Sequence, residues 1–177
     1  MITNQQFNDN IEEFISIMLA NLKLKGTDFE FSVNNNYVNK WNIDKMYSFV
    51  SVSVKQLRID FTISFDDLYG VPLLNMRLYD NDTFLTSPMA QRTLAVGICR
   101  VDLHNHHLLQ QPWLQVHPCE TLQTIDSHLK NTPTCKYNSV IQYLCCWFGL
   151  YGLPSIFPQF SVRPNIYINN VQSCKIK

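Results

Sequence analysis

"LRIDFTISFDDLYGVPLLNMRLYD", residues 57–80, decides the fold. Leu57, Ile59, Phe61, Ile63 and Phe65 take alternate positions, and Arg58, Asp60, Thr62 and Ser64 fill the positions between. An extended chain sends successive side chains to opposite faces, so 57–65 reads as a strand with one face on a core. Asp66-Asp67-Leu68-Tyr69-Gly70 supplies turn residues, and "VPLLNMRLYD" at 71–80 is the next strand. Upstream, "MYSFVSVSV" at 46–54 alternates as well, with Ser48, Ser51 and Ser53 among apolar neighbours, and "FEFSV" at 29–33 does so briefly. The runs describe an antiparallel meander with one face covered and one facing solvent.

The covering elements lie at the two ends. Thr3 and Gln6 form a capping-box pattern ahead of Phe7, Ile11, Phe14, Ile15, Met18, Leu19 and Leu22. That spacing predicts an amphipathic helix ending near Gly26, with Lys23 and Lys25 in a last turn whose dipole favours cations. Asn138 caps a second helix, "SVIQYLCCWFGLYG", which is apolar almost all round and so should be buried. The apolar run at 143–157 falls short of the roughly 20 residues that span a bilayer. Between these parts the sequence predicts a loop at Asp80–Ser87, a short helix near Pro88–Val96 and a polar loop at 102–112. A strand at 113–116 and a helix from Thr121 follow, the helix broken at Asn131-Thr132-Pro133-Thr134. "NIYINN" in the tail reads as an edge strand. The fold class is α+β: an antiparallel meander sheet with an N-terminal helix and a buried C-terminal helix packed on it, one domain over 1–177.

Composition narrows the function. Apolar residues make up 46% of 177, which is globular, and Lys+Arg and Asp+Glu balance at 14 each. A basic face for nucleic acid has little to draw on. The five glycines do not cluster, so no phosphate loop is present. The opening residues carry no secretory pattern. Cysteines at 99, 119, 135, 145, 146 and 174 have no framework spacing. Free thiols in a reducing cytosol are therefore expected.

One of those thiols is oddly placed. In "QQPWLQVHPCETLQ", residues 110–123, the apolar run Trp113–Val116 stops at His117-Pro118 and Cys119 follows at once. Pro118 fixes its own φ and biases His117 towards an extended conformation, so Cys119 is mounted on a stiff strand exit. A helix starting at Thr121 would turn backbone N–H groups towards a thiolate there. Two readings stand: a small hydrophobe packed at a strand end, or a nucleophile held in the open. His117 would share a face with Cys119 along an extended chain. "HNHH" at 104–107 matches no zinc spacing and reads as a solvated loop. Cys145 and Cys146 read as core.

Three stretches in order add a resemblance. "QPWLQVHPCET" resembles the active-site segment of the autophagy ubiquitin-carrier-type enzymes, with its His-Pro-Cys after an apolar strand. "DLYGVPLLNMRLYD" at 67–80 is similar to that family's Tyr-x-Val-Pro strand entry. "NSVIQYLCCWFGLYGLPSI" at 138–156 is similar to its buried helix with a Tyr-Leu-x-x-Trp pattern. The motifs span roughly 57–156 and look most like the autophagy-related protein ten family, since the long charged insertion of the autophagy-related protein three family is missing.

The resemblance implies a ubiquitin-conjugating-enzyme-like fold and a transferase. Such an enzyme takes the ubiquitin-like autophagy-related protein twelve from its activating enzyme, autophagy-related protein seven, as a thioester on Cys119. It then passes the modifier to a lysine of autophagy-related protein five. No cofactor or metal is implied, and the setting is the cytoplasm, with recruitment to autophagosome assembly sites. Ordinary ubiquitin carriers place an asparagine before their cysteine, in His-Pro-Asn. Here the proline is followed directly by Cys119, which leaves His117 as the candidate support. The family's auxiliary tyrosine on the meander has no counterpart at Ile59 or Phe61, and Tyr69 in the Tyr-x-Val-Pro element is the remaining candidate. Two other classes stay open: a non-catalytic interaction domain of the same fold, and a cysteine hydrolase acting without ATP.

Overall fold

The computed structural model describes residues 1–24, 31–42, 44–85, 100–118, 121–130 and 139–160. In chain order these form helix α1 (Asn4–Leu24), strands β1 (Phe31–Asn42), β2 (Lys45–Val54), β3 (Leu57–Asp66), β4 (Val71–Asp80), β5 (Thr83–Phe84), β6 (Val101–Asn105) and β7 (Pro112–Val116), and helices α2 (Thr121–Lys130) and α3 (Ser139–Tyr151). Two short 3₁₀ turns follow α3. The strands make one antiparallel sheet in the order β1-β2-β3-β4-β7-β6, with β5 paired to β4. The α+β class with a meander and covering helices is as expected.

The two-residue period sets the register. Val50 faces Phe61, Phe61 faces Met76 and Met76 faces Leu114, and these four residues are at most 4% exposed. Ile59, Ile63, Leu74 and Leu78 extend that inner face. Shifting any of these strands by one residue would turn the whole set outward, so burial itself fixes the pairing.

Helix α1 lies against the inner face. Its capping box is formed: Gln6 N–H donates to Thr3 Oγ1 at 3.2 Å, and Thr3 N–H donates to Gln6 Oε1 at 2.9 Å. Phe7, Ile11, Phe14, Ile15, Met18 and Leu19 are buried. Helix α3 buries Val140, Ile141, Tyr143, Leu144, Trp147 and Phe148, and Phe14 meets Phe148 edge-on at 5.7 Å between centroids. It ends at Gly152, where a Cβ would collide with the Phe148 carbonyl.

Four expectations change. The strand predicted at 29–33 runs on to Asn42 through an asparagine-rich stretch, and its first two residues lie outside the described set. Pairing with β2 over ten positions holds residues whose own strand propensity is low. The loop predicted from Asp80 contains a tight turn, Asn81 and Asp82 at positive φ of 45° and 62°, that returns Thr83-Phe84 to β4. Asn and Asp tolerate that conformation, which suits a two-residue hairpin. The polar stretch at 102–112 is not all loop, because Asp102–Asn105 belong to β6. His106 is buried rather than solvated. The helix near Pro88–Val96, the Asn138 cap, the breaker at 131–134 and the tail strand lie outside the described residues.

Candidate active site

Strand β7 is short but interior. It pairs with β6 from Pro112 to Val116, and with β4 at Leu114 and Gln115. His117 extends the β6 side by one bond, its N–H donating to the Arg100 carbonyl at 2.9 Å. Pro118 has no N–H to give, so the ladder stops there. Pro118 is buried, and its carbonyl accepts from Thr121 N–H at 3.1 Å, which joins the strand exit to the first residue of α2. Cys119 and Glu120, between these two anchors, lie outside the described residues.

Both anchors are well held. Thr121 is 1% exposed and Ile125, one turn on, is fully buried. Tyr151 of α3 donates its hydroxyl to Thr124 Oγ1 at 2.9 Å. The chain's terminal ammonium stands 3.8 Å from Asp126, an exposed pair that contributes little. The predicted helix start at Thr121 is therefore present.

The other predicted residues meet at the same end of the sheet. β4 runs antiparallel to β7, so the exit of β7 lies beside the entry of β4 and the β3–β4 turn. Tyr69 sits in that turn, 43% exposed, its N–H donating to Asp66 Oδ1 at 2.8 Å. Gly70 closes the turn at a φ of 65°. Half-buried His117 follows Trp113 and Gln115 at two-residue steps, so it shares their face, the one away from α1. Ile59 and Phe61, which carry no hydroxyl, point to the opposite face and are fully buried.

Pairing also brings in charges that the sequence does not group. Lys45 Nζ stands 3.5 Å from Asp67 Oδ2, and Asn4 Nδ2 donates to Asp67 Oδ1 at 2.7 Å. His107 feels the same set. Burial lowers its pKa from the ordinary 6.5, Lys45 adds to that, and Asp66 and Asp67 act against it.

The residue most misjudged from sequence is His106. It folds over the outer face and is fully buried, its Nε2 2.8 Å from Thr62 Oγ1. Its Nδ1 takes the N–H groups of Leu108 at 3.1 Å and Leu109 at 3.2 Å. An Nδ1 that accepts twice carries no proton, so Nε2 carries it and donates to Thr62. Desolvation, then His107 and Arg77, push the pKa down to about 4. Tyr47 and Trp113 meet the ring edge-on at 6.4 Å and 5.6 Å. The only sequence signal was Leu108-Leu109 beside the histidines, an apolar pair out of place in a solvated loop.

Cys145 and Cys146 are free thiols partly buried on α3. Burial, then Cys146, pushes the Cys145 thiol up to about 12, and burial also raises Cys146. Both stay protonated and poorly nucleophilic at neutral pH. Among the described residues no three His, Cys, Asp or Glu side chains gather as a metal site, and no helix is long and apolar enough to cross a membrane.

Comparison with known proteins gives the family and agrees with the fold. The family described as "Autophagocytosis associated protein, active-site domain" matches residues 6–160. Among solved structures, one titled "Solution structures of KmAtg10" is 17% identical with a TM-score of 0.56, over 91% of this chain and 99% of that one. Another, titled "Crystal structure of Autophagic E2, Atg10", is 16% identical with a TM-score of 0.57, over 90% and 98%. At these identities the likeness is one of fold.

Proposed function

The chain belongs to the autophagocytosis-associated family through its active-site domain, and from that premise we propose that it is a ubiquitin-like protein transferase with Cys119 as its thioester-forming cysteine. It receives autophagy-related protein twelve from autophagy-related protein seven and passes it to a lysine of autophagy-related protein five. Residues 1–177 act as one ubiquitin-conjugating-like domain, in the cytoplasm and at sites of autophagosome assembly. No nucleic acid, metal or organic cofactor takes part.

The observation that carries this reading is the position of His117-Pro118-Cys119. The triplet lies within the matched family segment, and in the sequence it falls between β7, which ends at Val116, and α2, which begins at Thr121. A thiolate is both nucleophile and leaving group, so one atom serves loading and discharge. In loading, the Cys119 sulfur attacks the carrier thioester, and the activating enzyme's cysteine leaves as thiolate. In discharge, the acceptor amine attacks the new thioester carbonyl, loses a proton and expels the Cys119 thiolate. The N-terminus of α2 favours charge on that sulfur in both steps. His117 supports the oxyanion or the loop geometry during discharge, with Tyr69 at the rim of the same sheet end. Cys145 and Cys146 are set apart by burial, so they do not compete.

The test is a loading reaction with activating enzyme, ATP and modifier. The native chain gives an adduct that thiol reductant cleaves. Cys119→Ser gives a reductant-resistant ester, and Cys119→Ala gives none. An adduct that survives Cys119→Ala overturns the assignment, and cleavage of simple esters without ATP would replace it with a hydrolase.

A further inference from the structure

Helix α2 begins two residues after Cys119, so the chain itself ties the thiol to it. Consecutive Cα atoms are about 3.8 Å apart, which keeps residue 119 within about 7.6 Å of Thr121 by covalent length alone. On the other side Pro118 is buried, and its carbonyl accepts from Thr121 N–H at 3.1 Å. Only two residues of chain are left to absorb a shift of α2. Whatever fixes α2 therefore bears on the cysteine.

The helix is held in two ways. Ile125 is fully buried, and Leu129, one turn on, packs against the same core. Apolar burial has no direction, so on its own it permits small sliding and rolling of a helix. A hydrogen bond has direction and weakens steeply as its angle is lost. Tyr151 of α3 donates its hydroxyl to Thr124 Oγ1 of α2 at 2.9 Å, and both residues are half-buried. The tyrosine is itself well fixed. Trp147, four residues earlier on the same helix face, is 1% exposed. Gly152 N–H donates to the Phe148 carbonyl at 2.9 Å and closes the last turn of α3. The directional contact on α2 thus comes from the end of a core helix.

We propose that Tyr151 is a positioning residue for transfer from Cys119, acting through Thr124 and α2. Its hydroxyl sets where α2 lies against α3, and so how the two residues ahead of Thr121 are held. The inference rests on the transferase reading and adds a residue that touches neither the thioester nor the acceptor. An attacking amine must meet the thioester carbonyl in a narrow geometry, and a misplacement of about 1 Å costs roughly a hundredfold in rate. Without the hydroxyl, the apolar contacts keep α2 folded on the core but loosen its placement. The rate of transfer falls while partner binding persists.

Discharge of the preloaded chain to its acceptor protein tests this. Tyr151→Phe removes one oxygen and keeps the ring. The expected variant is folded and loads to the same adduct. Its maximal discharge rate is lower by about tenfold, and the half-saturating acceptor concentration is unchanged. Thr124→Val should lose as much, and the double variant no more than either alone, because both remove one bond. Thr124→Ser, which keeps a hydroxyl, should recover most of what Thr124→Val loses. A folded Tyr151→Phe that discharges at the native rate overturns the inference. So does a loss confined to the half-saturating concentration, or losses that multiply in the double variant. If Tyr151→Phe does not fold, the Thr124 pair decides, and equal rates for valine and serine overturn the inference. A native chain that never loads fails at an earlier step and overturns the transferase reading, with this inference.

Discussion

The two faces of one sheet follow different rules. The inner face is built from alternating apolar residues of β2, β3, β4 and β7 and sealed by α1 and α3, with Val50, Phe61, Met76 and Leu114 in one row. Apart from the buried Ser48 hydroxyl, it needs volume and register rather than specific partners. The outer face fully buries Thr62, Ser64 and Asn75, and the 106–109 turn lays the fully buried His106 over Thr62. There each polar atom needs its own partner, and its stability depends on directional bonds rather than area. A period-two pattern announces the first kind of burial. It cannot announce the second, because the residues that make it look like solvent-facing ones.

The largest effect should come from the inner face. Phe61→Ala removes a fully buried ring, and unfolding in denaturant should show a loss of about 3–5 kcal/mol. On the outer face, His106→Ala frees Thr62 Oγ1 and two backbone N–H groups in one change. A loss of about 2–3 kcal/mol is expected, smaller than for Phe61 although both residues are fully buried. If the two losses were equal, or their order reversed, the contrast between volume and partner would fail.

The faces should also separate by pH. The folded pKa of His106, about 4, lies below the ordinary 6.5, so protons favour the unfolded chain. Its contribution is complete above about pH 6.5 and is lost as pH falls towards 4, by up to about 3 kcal/mol. Melting curves across that range should fall with acid in the native chain and flatten in His106→Gln. An equal slope in both would remove His106 as the cause. The smallest effect belongs to the exposed edge strand. Tyr37→Ser at 42% exposure should shift stability by less than about 1 kcal/mol, the remnant of its stack on Phe49 at 5.1 Å.

Legibility followed the same division. α1, β2 and β3 were readable because each repeats apolar residues at one period, β4 because an apolar run follows turn residues, and α3 because it is apolar almost all round. β6 was not, because Asp102, His104 and Asn105 carry no strand signal and take their strand form by pairing with β7. β1 beyond Val33 escaped for the same reason. The His-Pro-Cys segment was readable because its logic is local: a strand, a proline that ends it and a helix start within nine residues. Its surroundings were not. Lys45, Asp67, Tyr69, His107 and His117 reach one end of the sheet only through pairing between distant segments, which no local pattern records.

Peptide mapping of the Cys119→Ser ester by mass spectrometry tests the central claim most directly, because it names the atom that carries the modifier. The modifier's C-terminal glycine should be found joined to residue 119 and to no other. A modifier joined to Cys145 or Cys146, whose thiols burial holds protonated, would contradict it.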